Sequence, residues 1–381
     1  MRGVQRDETI EALRGLACLC VVVYHVIGYD AANGLRAADG TWLRAVADGF
    51  DAFHMPAFAL IAGLVFALSP PRPGATLRFL RRRLTRIGLP LLVGTSVYLA
   101  ALQVAATNTD APDALWQAYL FPFMHFWYLQ AILWVIAAAV LAERLGCLKG
   151  RWLELAILAA VAIYMVRAQL PMVFSLRLAA YLLPFFLVGV WLARSARAAG
   201  SGLAVLMPLS LGAAALAGWL ALAGGFIEAP PVIANVLKLV AGLGLSIGLL
   251  RTRLAPGWLV RLGSVSYAVY LYHVFGTAAA REGLLALGQT SLALHLLVGT
   301  AVGIALPVAF RAALLQFGRI APALPLTVIG EAPSRRAAAG PMAGPAVPSP
   351  AAEAGGGGQA PNPPSMVCCA PVTMPASDPT R

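Results

Sequence analysis

The chain alternates between long apolar runs and short polar breaks. Ten runs hold few charges, at roughly 9–29, 50–68, 88–106, 125–142, 152–166, 177–193, 203–223, 232–250, 264–280 and 292–310. Most approach the ~20 residues an α-helix needs to cross a bilayer, and the fifth and sixth are shorter. Each is read as a membrane-spanning helix. The first run sits where a signal peptide would, but it contains Glu11 and Arg14 and no small-residue cleavage site follows it, so it is read as a retained helix. From about Glu331 onward the sequence turns to Ala, Pro, Gly and Ser, with glycines at 355–358. Such a segment cannot bury enough apolar area to offset the entropy of ordering it. The expected architecture is all-α: a polytopic membrane bundle of about ten transmembrane helices over residues 1–330, then a disordered tail over 331–381.

Composition strengthens this picture. Hydrophobic residues make up 60% of the chain and charged ones 12%, against about 25% charged in soluble domains. Lipid must therefore solvate most of the apolar surface. The net charge of +12 points first to nucleic acid, but no segment offers a basic soluble module, and the charges follow the breaks between runs. One set of breaks carries Arg2, Arg6, Arg72, Arg78, Arg81, Arg82, Arg83, Arg86, Arg144, Lys149, Arg151, Arg194, Arg197, Arg251, Arg253, Arg261, Arg311 and Arg319, and the alternate set carries Arg36, Arg44, Arg167, Arg177 and Arg281. That division, 18 against 5, is the bias of cytoplasmic loops. It predicts both termini in the cytoplasm and a bacterial inner (cell) membrane. The five cysteines are scattered and show no disulfide framework or metal spacing.

Ionisable side chains inside the spans are costly there and so are candidates for function. Arg14 and His25 lie eleven residues apart on the first helix. At 100° per residue they face within about 20° of each other, about 16 Å apart along the axis. Glu11, three residues before Arg14, can pair with it, and Gly15 lets another helix approach. Two readings stay open: a functional stripe, or a headgroup-level ion pair with a hydrogen-bonded histidine. His54 is read at the outer end of the second helix, with Pro56 in its first turn and Gly63 as a packing position. His125 precedes Phe126-Trp127-Tyr128, which also fits an interfacial aromatic belt. His273 lies deeper, and Ser266 and Tyr270 on its face could hold its tautomer. Lys238 is read as snorkelling to the surface and His295 as structural. The run from Phe79 to Pro90 is the densest charge; Arg82 and Arg86 share a face one turn apart there, and contact with anionic lipid competes with phosphate binding as its role.

These residues resemble the acyltransferase-3 family of bacterial membrane O-acyltransferases. The resemblance rests on Glu11-Ala12-Leu13-Arg14-Gly15-Leu16-Ala17 with Tyr24-His25, on Phe53-His54-Met55-Pro56-Ala57-Phe58 and Ile61-Ala62-Gly63, and on the arginine run ending at Pro90. It extends through His125-Phe126-Trp127-Tyr128-Leu129, Leu183-Pro184-Phe185-Phe186-Leu187-Val188-Gly189 and Ser266-Tyr267 to His273, covering about 8–310 in order. The His-Met-Pro form in the second helix is similar to the branch of glucan succinyltransferases and related sugar acyltransferases. The sequence departs at Ala62, where the family usually has Ser. The resemblance implies transfer of an acetyl, succinyl or similar group from acyl-coenzyme A, as donor co-substrate, to a sugar hydroxyl of a glycan or lipid-linked saccharide. No cofactor is expected to be held permanently, and the expected partners are acyl-CoA, the sugar acceptor and the bilayer, with no nucleic acid. On this reading His25 is the base, or carries the acyl group briefly. Arg14 binds or polarises the donor, Glu11 orients Arg14, and Arg82, Arg83 and Arg86 hold the donor phosphates. His54, His125 and His273 contact substrate. A secondary transporter or flippase with an intramembrane His/Arg pathway is the rival reading, but the paired broken helices such folds tend to show are missing.

Overall fold

A computed structural model describes residues 5–72, 74–104, 112–195, 202–318, 320–331 and 373–374. Nearly all of the tail expected to be disordered lies outside these residues. The helices are α1 (Glu8–Ile27), α2 (Trp42–Leu68), α3 (Thr76–Arg83), α4 (Leu89–Val104), α5 (Gln117–Leu120), α6 (Trp127–Arg144) and α7 (Arg151–Val166). They continue with α8 (Leu176–Arg194), α9 (Gly202–Ala223), α10 (Pro231–Thr252), α11 (Gly257–Ala286), α12 (Leu292–Phe317) and α13 (Ala323–Ile329). A π-helical turn, Leu84–Gly88, joins α3 to α4.

Among the described residues nine helical stretches are long and apolar enough to cross a membrane, and they coincide with nine of the ten expected runs. The remaining run, 264–280, corresponds to α11, which has 30 residues but is not one of the nine. Its sequence carries Arg261, Arg281 and Glu282 together with Ser266, Tyr267, Tyr270, Tyr272 and His273. That polarity is tolerated because α11 packs between α1 and α12, and Ser266 to His273 are all buried there.

Helix–helix contact in lipid relies on close backbone approach at small residues. The α1–α11 pair does this reciprocally. A Cβ on Gly15 would stand 2.1 Å from the Leu259 carbonyl oxygen, and one on Gly263 would stand 2.0 Å from that of Glu11. The α2–α8 pair repeats the device, with Gly63 against the Phe186 carbonyl and Gly189 against that of Leu60. Gly15 and Gly63 thus act as the sequence suggested. Because neither backbone can give way, Gly263→Val should separate α1 from α11 at a cost of about 1–3 kcal/mol. Thermal unfolding of the detergent-solubilised protein checks this, with Gly257→Val, whose Cβ meets nothing within 4 Å, as the control.

Three positional expectations are corrected. Helix α2 starts at Trp42, with the Thr41 hydroxyl accepting from the Arg44 amide at 3.3 Å. Pro56 therefore lies in mid-helix and His54 is buried rather than at an outer end. Proline has no N–H for the Ala52 carbonyl four residues back, and Gly242 of α10 packs closely against both Pro56 and that oxygen. Lys238 does not snorkel. Its ammonium pairs with Asp51 at 2.6 Å and stands 4.5 Å from the centre of the Trp219 ring. The carboxylate of that pair, Asp51, stands at the start of the second run, but sequence alone gives no register between α2 and α10.

Candidate active site

The Asp7 side chain begins α1 by accepting from the Thr9 and Ile10 amides at 3.0 and 3.2 Å. This places Glu11 about one turn and Arg14 about two turns in, where both are buried in the protein interior and joined by a 2.8 Å ion pair. Arg14 lines a small apolar chamber of about 40 Å³ with Phe58, Ala62, Ile87, Tyr128 and Tyr270 among its walls. Its Nη2 has no hydrogen-bond partner. Ala62 is one wall, so the hydroxyl missing at this position is missing beside a guanidinium that could have used it.

His25, near the other end of α1, lines a separate cavity of about 160 Å³. Its polar walls are Tyr29, Asn33, Thr277, Arg281 and His295. The two chambers share no lining residue. Phe58, Tyr128 and Tyr270 form an aromatic cluster on the wall of the Arg14 chamber, with ring centres 5.7–6.5 Å apart. Arg14 and His25 thus both line cavities inside the bundle, but two distinct ones rather than the single stripe that a 100° helical wheel suggests.

The mouth of the larger cavity is a loop that sequence reading passed over. Gly28 and Gly34 both have positive φ, 103° and 57°, and they press together so closely that a Cβ on Gly28 would lie 2.1 Å from the Asn33 oxygen. Asp30 ties the loop by accepting from the Ala32 and Asn33 amides and from the Asn33 side chain. A glycine, an aspartate and an asparagine crowded after a helix is a turn signature, and it was available in the sequence. His295, read as structural, also lines this cavity while its Nε2 meets the Gln289 carbonyl at 3.0 Å.

His125 and His273 stand behind His25. The three ring centres are 4.9 Å (His25–His273), 5.1 Å (His125–His273) and 6.1 Å (His25–His125) apart. His125 belongs to a short 3₁₀ turn, Met124–Phe126, and is buried rather than part of an interfacial belt. Its Nε2 meets the Leu271 carbonyl at 3.1 Å. The carbonyls of Val269 and Tyr270 lie 3.0 and 2.9 Å from Nδ1 of His273, so backbone, not the Ser266 or Tyr270 hydroxyls, fixes its tautomer. The Tyr270 hydroxyl donates instead to the His125 carbonyl, and that of Ser266 to Gly263. Neither His125 nor His273 lines the cavity, and nor does His54. The His54 ring packs on Tyr24, which separates it from His25, and its Nδ1 donates to the Phe50 carbonyl. Among the described residues no group of three His, Cys, Asp or Glu side chains is arranged to hold a metal ion.

The arginine run changes register. Pro90 cannot donate to the Arg86 carbonyl, its i−4 partner. The backbone absorbs this in the π turn Leu84–Gly88, and the Tyr267 hydroxyl from α11 donates to the Arg86 carbonyl at 3.0 Å. In the last turn of α3, before the π turn, Arg82 is exposed and Arg83 is buried, its guanidinium 4.9 Å from the Phe79 ring centre. Arg83 Nη1 has no hydrogen-bond partner, and the side chain lines an open, largely apolar groove between α3 and α6.

No curated protein and no solved structure gives a match to this chain. A match to the family described as an acyltransferase domain runs over residues 7–312 and takes in every helix that builds the two chambers. Its extent and the bundle of apolar helices agree with the motifs read from the sequence, and the chain belongs to the acyltransferase-3 family of multi-pass membrane acyltransferases.

Proposed function

We propose that the protein is an O-acyltransferase that moves an acetyl, succinyl or similar acyl group from cytosolic acyl-coenzyme A to a sugar hydroxyl. The acceptor belongs to a cell-surface or periplasmic glycan or to a lipid-linked saccharide. The observation that carries this reading is the position of His25, an imidazole on the wall of a polar cavity of about 160 Å³, with Arg14 a chamber away on the same helix. Tyr29, Asn33, Thr277 and His295 supply donors and acceptors suited to hydroxyl groups.

In this mechanism the acceptor hydroxyl gives its proton to His25 as its oxygen attacks the thioester carbonyl. The C–O bond forms, the C–S bond breaks, and the leaving sulfur takes the proton from His25. Imidazole suits both halves, because its unperturbed pKa near 6.5 lets it accept and return a proton near neutrality. Arg14, steadied by Glu11, polarises the donor. Arg83 and Arg86 hold the donor phosphates, with Arg82 at the rim, since guanidinium matches phosphate oxygens in bidentate fashion. The acyl end of the donor would have to pass from the Arg14 chamber, walled by Phe58, Tyr128 and Tyr270, to the cavity of His25. The loop charges, 18 against 5, favour the inner membrane with both termini cytoplasmic, which puts the arginine run on the coenzyme A side.

Inside-out membrane vesicles supplied with labelled acetyl- or succinyl-CoA test the reading. The expected product is label in saccharide, released by mild alkali as an ester is. No ester-linked label above that of vesicles lacking the protein, with either donor, overturns it. Within the same assay Arg83→Gln should raise KM for the donor about tenfold to a hundredfold, the loss of one charge-assisted hydrogen bond. Arg82→Gln should change it by less than about threefold, as befits an exposed charge.

A further inference from the structure

The reading of His25 as the base leaves two buried nitrogens unexplained. His125 donates from Nε2 to Leu271, so its Nδ1 is a bare lone pair, and that atom has no hydrogen-bond partner. His273 donates from Nδ1 to the Val269 and Tyr270 carbonyls, so its Nε2 is bare, and it too has no partner. Burying such acceptors without a donor costs about 1–3 kcal/mol each. Both imidazoles have their tautomer set by backbone carbonyls, so each can only accept at its free nitrogen.

No hydrogen bond joins the two rings as they stand, and the donor that a small ring rotation would bring to Nε2 of His273 is His25. An N–H···N bond of about 3 Å sets two imidazole centres roughly 5 Å apart, and the His25–His273 separation is 4.9 Å, whereas His25–His125 is 6.1 Å. We propose, resting on the acyltransferase reading above, that His273 is the positioning residue of the reaction: its Nε2 accepts the N–H of His25 and so presents the other, bare nitrogen of His25 to the acceptor hydroxyl. When the hydroxyl proton arrives on that nitrogen, the charge of the imidazolium is spread toward His273 through the same hydrogen bond. When the proton leaves with the coenzyme A sulfur, the starting tautomer is restored, so no proton is gained or lost over the cycle. A neutral histidine here does what a carboxylate does behind the histidine of a hydrolase triad. It also avoids placing a second full charge in a buried, low-dielectric setting. Of the other groups near His25, Tyr24 packs edge-on against its ring and His125 is tied through Nε2 to Leu271, while Tyr29, Asn33, Tyr98, Thr277, Arg281 and His295 line the same cavity.

The test compares two replacements in the vesicle assay. His273→Phe keeps a ring of similar size but has no lone pair, and should lower kcat about 10- to 100-fold with KM for donor and acceptor unchanged. His273→Gln returns an acceptor oxygen near the position of Nε2 and should recover kcat to within about tenfold of the natural protein. Full activity in His273→Phe, or His273→Gln no faster than His273→Phe, overturns the proposal. A readout that needs no variant is the ¹⁵N spectrum of histidine-labelled protein, in which coupling across an N–H···N bond between His25 and His273 is expected and its absence overturns the proposal. The two layers separate cleanly. Transfer that survives His25→Ala removes the acyltransferase mechanism and this inference with it, while transfer lost in His25→Ala but untouched in His273→Phe removes the positioning role alone.

Discussion

Vesicles carrying His25→Ala are expected to transfer acyl groups about 10²–10⁴-fold more slowly than the natural protein, the usual contribution of a positioned acid–base group. Insertion and folding should be retained, because His25 borders a cavity and carries none of the glycine contacts that fix α1 against α11. The loss should fall on kcat, since on the proposed reading the donor phosphates sit at Arg83 and Arg86 rather than at His25. His25→Gln should be nearly as slow as Ala: its amide can hydrogen-bond a hydroxyl but cannot accept the proton. Substrate binding measured separately, by protection of the protein against heat with non-reacting donor analogue, should be unaltered. Undiminished transfer in a folded His25→Ala protein would remove His25 from the chemistry. A protein that carries label on His25 itself after brief exposure to acyl-CoA would instead select the covalent route, in which the imidazole holds the acyl group between the two halves of the reaction.

What could be read from the sequence divides along physical lines. Helix existence was legible because bilayer thickness dictates the length of an apolar run, and nine helices fall on the expected stretches. The Glu11–Arg14 pair and the packing roles of Gly15 and Gly63 were legible too, because both follow from spacing on one helix or from the absence of a side chain. The start of α2 was missed because residues 42–49 include Arg44 and Asp48, and a hydropathy reading counts such charges as the end of a span. In the fold they form a 3.3 Å pair one turn apart. The shared face read for Arg82 and Arg86 was not secure, since a regular 100° step does not anticipate the π turn at Leu84–Gly88. Pro90 was the hint, because its missing N–H leaves the Arg86 carbonyl to be satisfied from elsewhere, here by Tyr267. Least legible was the imidazole cluster. His25, His125 and His273 come from three elements far apart in the chain, and nothing in a single sequence reports the register between helices. The same ignorance hid the aromatic wall of the Arg14 chamber, built from Phe58, Tyr128 and Tyr270 of α2, α6 and α11.

The largest effect on stability should come from Glu11→Ala. Glu11 and Arg14 are 0% and 2% exposed, and the guanidinium keeps one nitrogen without a partner even in the intact protein. Removing the carboxylate leaves a buried charge with no counter-ion, which costs about 3–5 kcal/mol in comparable buried pairs. Glu11→Gln keeps an acceptor oxygen and should lose less, about 1–3 kcal/mol. The pair as a whole need not stabilise the fold, since exchanging both charges for apolar side chains of similar volume is often neutral or favourable. Glu11→Leu with Arg14→Met should therefore unfold at a temperature near that of the natural protein, and well above that of Glu11→Ala alone. Acyl transfer separates the two roles. If the pair exists to hold the donor, the double variant is stable and inactive, which is the expected result. A double variant that is stable and fully active would assign Arg14 to packing alone, and a Glu11→Ala protein as stable as the natural one would mean that the guanidinium finds a second counter-charge inside the bundle.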